Sequence, residues 1–310
     1  MESRRIGSLE VSVAGLGGNN FGRRADEHAT REVVDAALDA GVTLFDTADV
    51  YGDGASEKLL GQALGTRREE VVITTKFGMR EPPAGLSGGH PRWVVRAAEE
   101  SLRRLGSSYL DLYLLHQPDP ATPIGETLRA MNQLLQQGKV REIGCSNFSA
   151  PQLAEAAAAA KERGLRNFVC VQNEYSLLHR EPEQEVLAAC GSLGLAFVPY
   201  FPLASGLLSG KYRRGRPVPA KTRLGGSGER SAEEIIGENK LAMVERLATF
   251  AELHGHSLLE LSLSWLAARS PVASVIAGAM SAEQVRANVA ATSAWKPTED
   301  ELAAFDRLTA

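Results

Sequence analysis

Four polar residues of different chemistry stand where successive strand-like runs give out: Asp46 in LFDTA, Tyr51 in DVYG, Lys76 in VVITTKFG and His116 in LDLYLLHQPD. An acid, a phenol, an amine and an imidazole delivered to one place could tune a tyrosine to hand a proton to a carbonyl oxygen. A free tyrosine holds its proton to a pH near 10, and a neighbouring ammonium favours the phenolate and lowers that value. Asp46 would keep Lys76 charged and oriented, offsetting the cost of a partly buried cation. His116 would donate a hydrogen bond to the substrate oxygen, and Tyr51 would supply the proton as charge develops there. Each residue alone has an ordinary structural explanation, such as a helix cap or a solvated lysine. Their convergence on one rim is what the rest of the chain must provide.

The elements that would position them are legible. Strand candidates end near Gly17, Asp46, Lys76, His116, Ser146, Gln172, Tyr200 and Gly278. Most are about 30 residues apart, the length of a strand with its returning helix. This predicts a single-domain (β/α)₈ TIM barrel over residues 1–310, whose strand C-termini share one face and carry the site. Residues 28–40 place Val33, Val34, Ala37 and Leu38 on one helical face before Gly41. The run from Pro151 to Arg163, with Ala156 to Ala160, has strong helix propensity, and Pro151 suits a first turn. Beyond Tyr200 comes a long Pro/Gly-rich insertion, PLASGLLSGKYRRGRPVPAKTRLGGSGER, then an extra helix around Leu241 to His254. An insertion of this size reads as a functional loop. Ala84 to Gly89 is a second Gly-rich rim candidate. A hairpin over Arg4 to Val13 is expected to cap the barrel bottom, and Pro297 to Leu308 reads as a closing helix.

The bulk properties agree with an enzyme of this kind. The 310 residues are 44% hydrophobic and 23% charged, with a formal charge of −4. That balance argues against a nucleic-acid footprint, and the only basic run is the short YRRGR. Cys145, Cys170 and Cys190 are far apart, have no His at metal-ligand spacing, and read as reduced thiols, so no metal site is expected. MESRRIGSLEVSV has no apolar leader-like stretch and no later run reaches membrane-spanning length, so the expected location is cytoplasmic and free of the membrane.

FDTADVYGDGASEKLLGQAL, ITTKFGM, DLYLLHQPD and IGCSNF together resemble the aldo-keto reductase family, over nearly the whole chain. The resemblance implies hydride transfer from a nicotinamide cofactor to a small-molecule aldehyde or ketone. Asp46, Tyr51, Lys76 and His116 match the family's catalytic tetrad, with Tyr51 as proton donor. It also implies a cofactor wall. Ser146, Asn147 and Gln172 correspond to the side chains on the nicotinamide carboxamide, and Tyr200 to the aromatic against its ring. Phe201, Pro202, Leu203, Ser205, Gly206, Leu207 and Lys211 match the loop around the pyrophosphate, with Arg223 a further phosphate contact. Gly278, Met280, Gln284 and Asn288 fall in the adenosine-binding segment. Phe21, Met79 and Tyr175 are expected to line the substrate pocket.

Two departures bear on the cofactor. Met280 stands where many members place Arg, Lys or Ser against the 2′-phosphate, and Ala287 replaces an acidic residue. A missing charge-assisted contact is worth about 1.5–3 kcal/mol. NADPH is the expected cofactor and NADH the alternative, with Lys221, Arg223 and Arg286 as cations able to compensate. Gly15-Leu-Gly17-Gly18-Asn-Asn-Phe-Gly22 imitates a dinucleotide fingerprint but has Asn20 where glycine is needed and does not open a helix. Two other functions use the same fold: an NAD(P)+-dependent alcohol or sugar dehydrogenase, and a cofactor-sensing module like the channel-associated β subunits. The substrate and the oligomeric state are not written in these motifs.

Overall fold

The strand ends expected from the sequence are the C-termini of a parallel barrel. The computed structural model describes residues 1–220, 222, 224–225 and 232–309. It begins with an antiparallel hairpin of β1 (Ser3–Ile6) and β2 (Leu9–Ser12). The strands β3 (Ala14–Gly17), β4 (Leu44–Asp46), β5 (Val72–Phe77) and β6 (Leu110–Leu115) follow. After them come β7 (Val140–Ser146), β8 (Cys170–Glu174), β9 (Ala196–Tyr200) and β10 (Val275–Gly278). They pair in parallel in the order β10-β3-β4-β5-β6-β7-β8-β9. The ring closes where the Phe197 amide donates to the Pro271 carbonyl and the Ala273 amide donates to the Phe197 carbonyl. With helices returning outside the strands, this is a (β/α)₈ barrel.

Those helices are α1 (Glu27–Asp39), α2 (Ala55–Leu64), α3 (Pro91–Leu105), α4 (Ile124–Gln136), α5 (Ala150–Glu162) and α6 (Val186–Leu193). The segment between β9 and β10 supplies α7 (Ala232–Ile236), α8 (Glu238–Leu253) and α9 (Leu258–Ala268); α10 (Ala282–Ala294) and α11 (Glu299–Thr309) end the chain. None is long and apolar enough to cross a membrane, among the described residues. Local chemistry explains their limits. In α1 the Asp26 carboxylate accepts the Ala29 amide, and Val33, Val34 and Ala37 are buried. Helix α5 starts on a capping box between Ser149 and Gln152, and its alanine run buries Ala156 and Ala160, since alanine lets a helix lie close to the strands it covers.

Two apolar layers fix the barrel. One lies between strands and helices. The other fills the lumen: Leu44, Val72, Leu112, Leu114, Cys170, Val198 and Ile276 pack with Ile6, Leu9 and Val11 of the hairpin. The hairpin therefore plugs the N-terminal mouth, pinned where the Ser8 amide donates to Glu142 and the Ser12 amide to Thr43. Removing one such leucine to alanine would cost about 2–5 kcal/mol. With that end sealed, the C-terminal mouth is left for chemistry.

Candidate active site

Asp46 ends β4, Lys76 lies near the end of β5, and His116 directly follows β6. Tyr51 opens a short turn, Tyr51–Gly54, whose Gly52, Asp53 and Gly54 are all left-handed. Glycine is needed at 54 on two counts: its φ is 88°, and a Cβ there would lie 2.6 Å from Cδ of Arg104. The structure brings the four side chains together. Lys76 Nζ donates to Asp46 Oδ2 at 2.7 Å, to the Thr47 carbonyl at 2.9 Å and to the Tyr51 hydroxyl at 3.5 Å. Lys76 is wholly buried and Asp46 nearly so. The His116 ring stands edge-on to Tyr51, centroids 5.8 Å apart.

The electrostatic balance differs from the simple expectation for the phenol. Burial raises the Tyr51 pKa above its ordinary value, Lys76 opposes that rise, and Asp46 adds to it; the net shift is upward. The ammonium is too far from the hydroxyl, and too closely matched by Asp46, to win. Burial works against the charge on Lys76, yet Asp46 and Tyr51 outweigh it and hold the lysine above its ordinary value. Burial, then the Lys76 charge, push His116 down to about 3. The site thus holds a neutral phenol, a neutral imidazole and a closed ion pair at physiological pH.

These groups open into a cavity of about 660 Å³. Asp46, Tyr51 and His116 line it, while Lys76 lies beneath its wall. Of the residues expected to hold a cofactor, Ser146, Asn147, Gln172, Tyr200, Phe201, Pro202, Leu203, Ser205, Gly206 and Lys211 line it, as do Gly278, Met280, Gln284 and Asn288. Their side chains are already linked. Ser146 Oγ donates to the Gln172 carbonyl, Asn147 Nδ2 to the His116 carbonyl, and the Tyr200 hydroxyl to Asn147 Oδ1. Gln172 Nε2 donates to Asp46 Oδ1. Backbone strain gathers on the same rim, with positive φ at Asn147, Phe201, Ala204 and Ser205, as functional loops tend to show. Gly206, beside Lys211, has a φ of 94°, a backbone conformation that favours glycine.

Several expectations fail or fall elsewhere. Phe21 is 1% exposed and Tyr175 0%, and neither lines the cavity. Phe21 is buried within the loop after β3, and Tyr175 packs on Phe197 and Trp265 while its hydroxyl donates to Glu183. Met79 alone of the expected pocket residues faces the cavity. Leu207 turns away from it into the apolar cluster with Tyr212 and Val218. Arg223 and Lys221 lie outside the described residues. Arg286 does not line the cavity, whereas Asn19, Asn20 and Arg24 do, with Ser209 and Leu259. The asparagines follow the end of β3 directly, which was signal enough to find them; Leu259, on a helix far along the insertion, offers none.

The cavity chemistry fits a nicotinamide dinucleotide. Ser146, Asn147 and Gln172 offer amide and hydroxyl groups beside Tyr51, Lys211 supplies a cation for a diphosphate, and bare Gly278 leads to Met280 and the N-terminus of α10. Comparison with known proteins agrees with this reading of the fold. The family model described as "Aldo/keto reductase family" matches residues 14–310. A protein of Oryza sativa subsp. japonica named probable voltage-gated potassium channel subunit beta is 36% identical over 302 residues, covering 94% of this chain and 91% of that protein. One of the same name from Arabidopsis thaliana is 34% identical over 299 residues, with 94% and 91% covered. The uncharacterized oxidoreductase YrpG of Bacillus subtilis (strain 168) is 34% identical over 297 residues, covering 91% of this chain and 88% of that one. A family match over nearly the whole barrel leaves one conclusion: the chain belongs to the aldo/keto reductase family of oxidoreductases.

Proposed function

We propose that the protein reduces an aldehyde or ketone to an alcohol, with Tyr51 as the acid and NADPH as the reductant. The observation that carries this reading is a protonated phenol at the mouth of the barrel, backed by the buried Lys76–Asp46 pair and flanked by a neutral histidine. The nicotinamide cofactor supplies the hydride when bound. The chain's residues do the rest. Ser146, Asn147 and Gln172 would hold the carboxamide, Tyr200 would cover the ring, and Lys211 with its loop would hold the phosphates. His116, neutral across the physiological range, offers an N–H to the carbonyl oxygen and aims it at Tyr51. Tyr51 gives its proton to that oxygen as negative charge grows on it, and Lys76 stabilises the phenolate left behind. In the reverse direction the same phenolate would accept an alcohol proton, so a dehydrogenase needs no other residues.

The plant relatives' name favours a second reading, a cofactor-binding module that serves a partner protein. Titration with NADPH and with NADH, followed by turnover of a panel of aldehydes and ketones, separates the two. Micromolar binding with turnover supports the reductase. Binding without turnover of any carbonyl supports the module, and no binding to either nucleotide removes both.

A further inference from the structure

Asp46 is held from opposite sides of the barrel. In the closed strand order β8 stands diametrically across from β4, yet Gln172 of β8 reaches over the lumen to donate Nε2–H to Asp46 Oδ1 at 2.8 Å. The other carboxylate oxygen accepts from Lys76 at 2.7 Å. Gln172 is 2% exposed, and its own main chain is fixed by the Ser146 hydroxyl and the Asn147 amide, both donating to its carbonyl. The side chain thus has little freedom, and it lies in the cavity wall.

The consequence falls on the weakest link. Lys76 meets Tyr51 at 3.5 Å, so a small rotation of the Asp46 carboxylate, dragging the ammonium with it, would break that contact. We infer that Gln172 is a positioning residue: by pinning Asp46 it fixes Lys76 against Tyr51, and it ties the occupant of the cavity beside β8 to the proton donor. Its role as positioner of a proton donor rests on the reductase reading; the Gln172–Asp46 link itself does not. A ligand that directs an N–H at Gln172 Oε1 polarises the amide and strengthens its hold on Asp46, because linked hydrogen bonds reinforce one another. A primary carboxamide does this; a carboxylate in its place would repel Oε1 and pull the amide N–H off Asp46. The site therefore distinguishes an amide-bearing ring from its acid counterpart through the state of Tyr51 as well as through binding.

The test is a double-mutant cycle of Gln172→Met and Asp46→Asn, methionine keeping volume while removing the donor. At saturating NADPH, with 4-nitrobenzaldehyde as the probe, Gln172→Met should lower kcat by about tenfold when Asp46 is present and by less than about twofold in the Asp46→Asn background. Equal losses in both backgrounds would overturn the inference, since a residue that only binds cofactor or only packs gives additive effects and acts on KM. The same cycle read by urea unfolding of the cofactor-free protein needs no activity. Non-additive midpoints there support the link even if the reductase reading fails in the titrations above, and additive midpoints overturn it.

Discussion

Lys76 Nζ lies 2.7 Å from Asp46 Oδ2 but 3.5 Å from the Tyr51 hydroxyl. The strong contact is the ion pair; the long one is the contact that would serve Tyr51 as the proposed acid. Tyr51 consequently keeps its proton in the resting protein, as burial dictates, and the lysine's help is realised only as the phenolate forms. In the proposed reaction, the stabilisation of such a donor would grow towards the transition state. Tyr51→Phe should lower the reduction rate at least ~100-fold while leaving the cofactor Kd nearly unchanged. Turnover near the wild-type level would assign the proton to another group.

The same ion pair is a structural liability if half of it is lost. Lys76 and Asp46 side chains are 0% and 5% exposed. Breaking a buried pair leaves an uncompensated charge, at a cost of about 3–5 kcal/mol. Lys76→Met should therefore destabilise the fold by roughly that amount in urea, and Lys76→Met combined with Asp46→Leu should recover much of the loss. A Lys76→Met protein as stable as wild type would show that the buried pair contributes no net stability.

Asp49, two residues before Tyr51, carries a separate pH dependence. It is 1% exposed and neither carboxylate oxygen makes a hydrogen bond of good geometry to the protein. Burial, then Glu57, push its pKa up to about 7, against weaker opposition from Arg104 and Arg80. A folded value above the unfolded one means the native state binds the extra proton, so this group's contribution is greatest below about pH 4 and is lost as pH rises to about 7. Asp49→Asn, which cannot ionise, should gain stability relative to wild type on going from pH 4 to pH 8, by a few kcal/mol at most. Unfolding midpoints for the two proteins at both pH values decide it: a difference independent of pH would mean that folding leaves the Asp49 pKa unshifted.

How far the sequence reached can be judged on particular residues. The strand ends were legible because short apolar runs recur about every 30 residues and give out at a polar residue or a glycine, and a barrel then leaves them one face to share. Helix α1 and the alanine-rich α5 followed from period and caps. Phe21 and Tyr175 were misread because an aromatic in the loop beyond a strand end points either into the mouth or into the helix layer, and the path of the loop decides which. The phenol's upward shift was hidden as well, because it depends on the difference between two contacts of Lys76, and spacing along a chain does not report tenths of an ångström. Nor could periodicity reveal that Gln172 crosses the lumen to Asp46, a pairing between residues 126 positions apart.

Cofactor choice turns on Met280. This residue is 37% exposed, lines the cavity, and immediately precedes Ser281, the cap of α10, with its amide donating to Gln284 Oε1. The start of a helix favours an anion and disfavours a cation by about 0.3–1 kcal/mol. Met280→Arg should therefore be slightly destabilising in the free protein, and should bind a 2′-phosphate through a charge-assisted contact worth about 1.5–3 kcal/mol. The ratio of NADPH to NADH affinity should rise by about tenfold or more, with the gain shrinking as salt is added. Fluorescence titrations of both proteins with both nucleotides, at low and high salt, measure this directly. A ratio that does not move would place the 2′-position away from residue 280 and turn attention to Arg24, the cation that lines the cavity from the loop after β3.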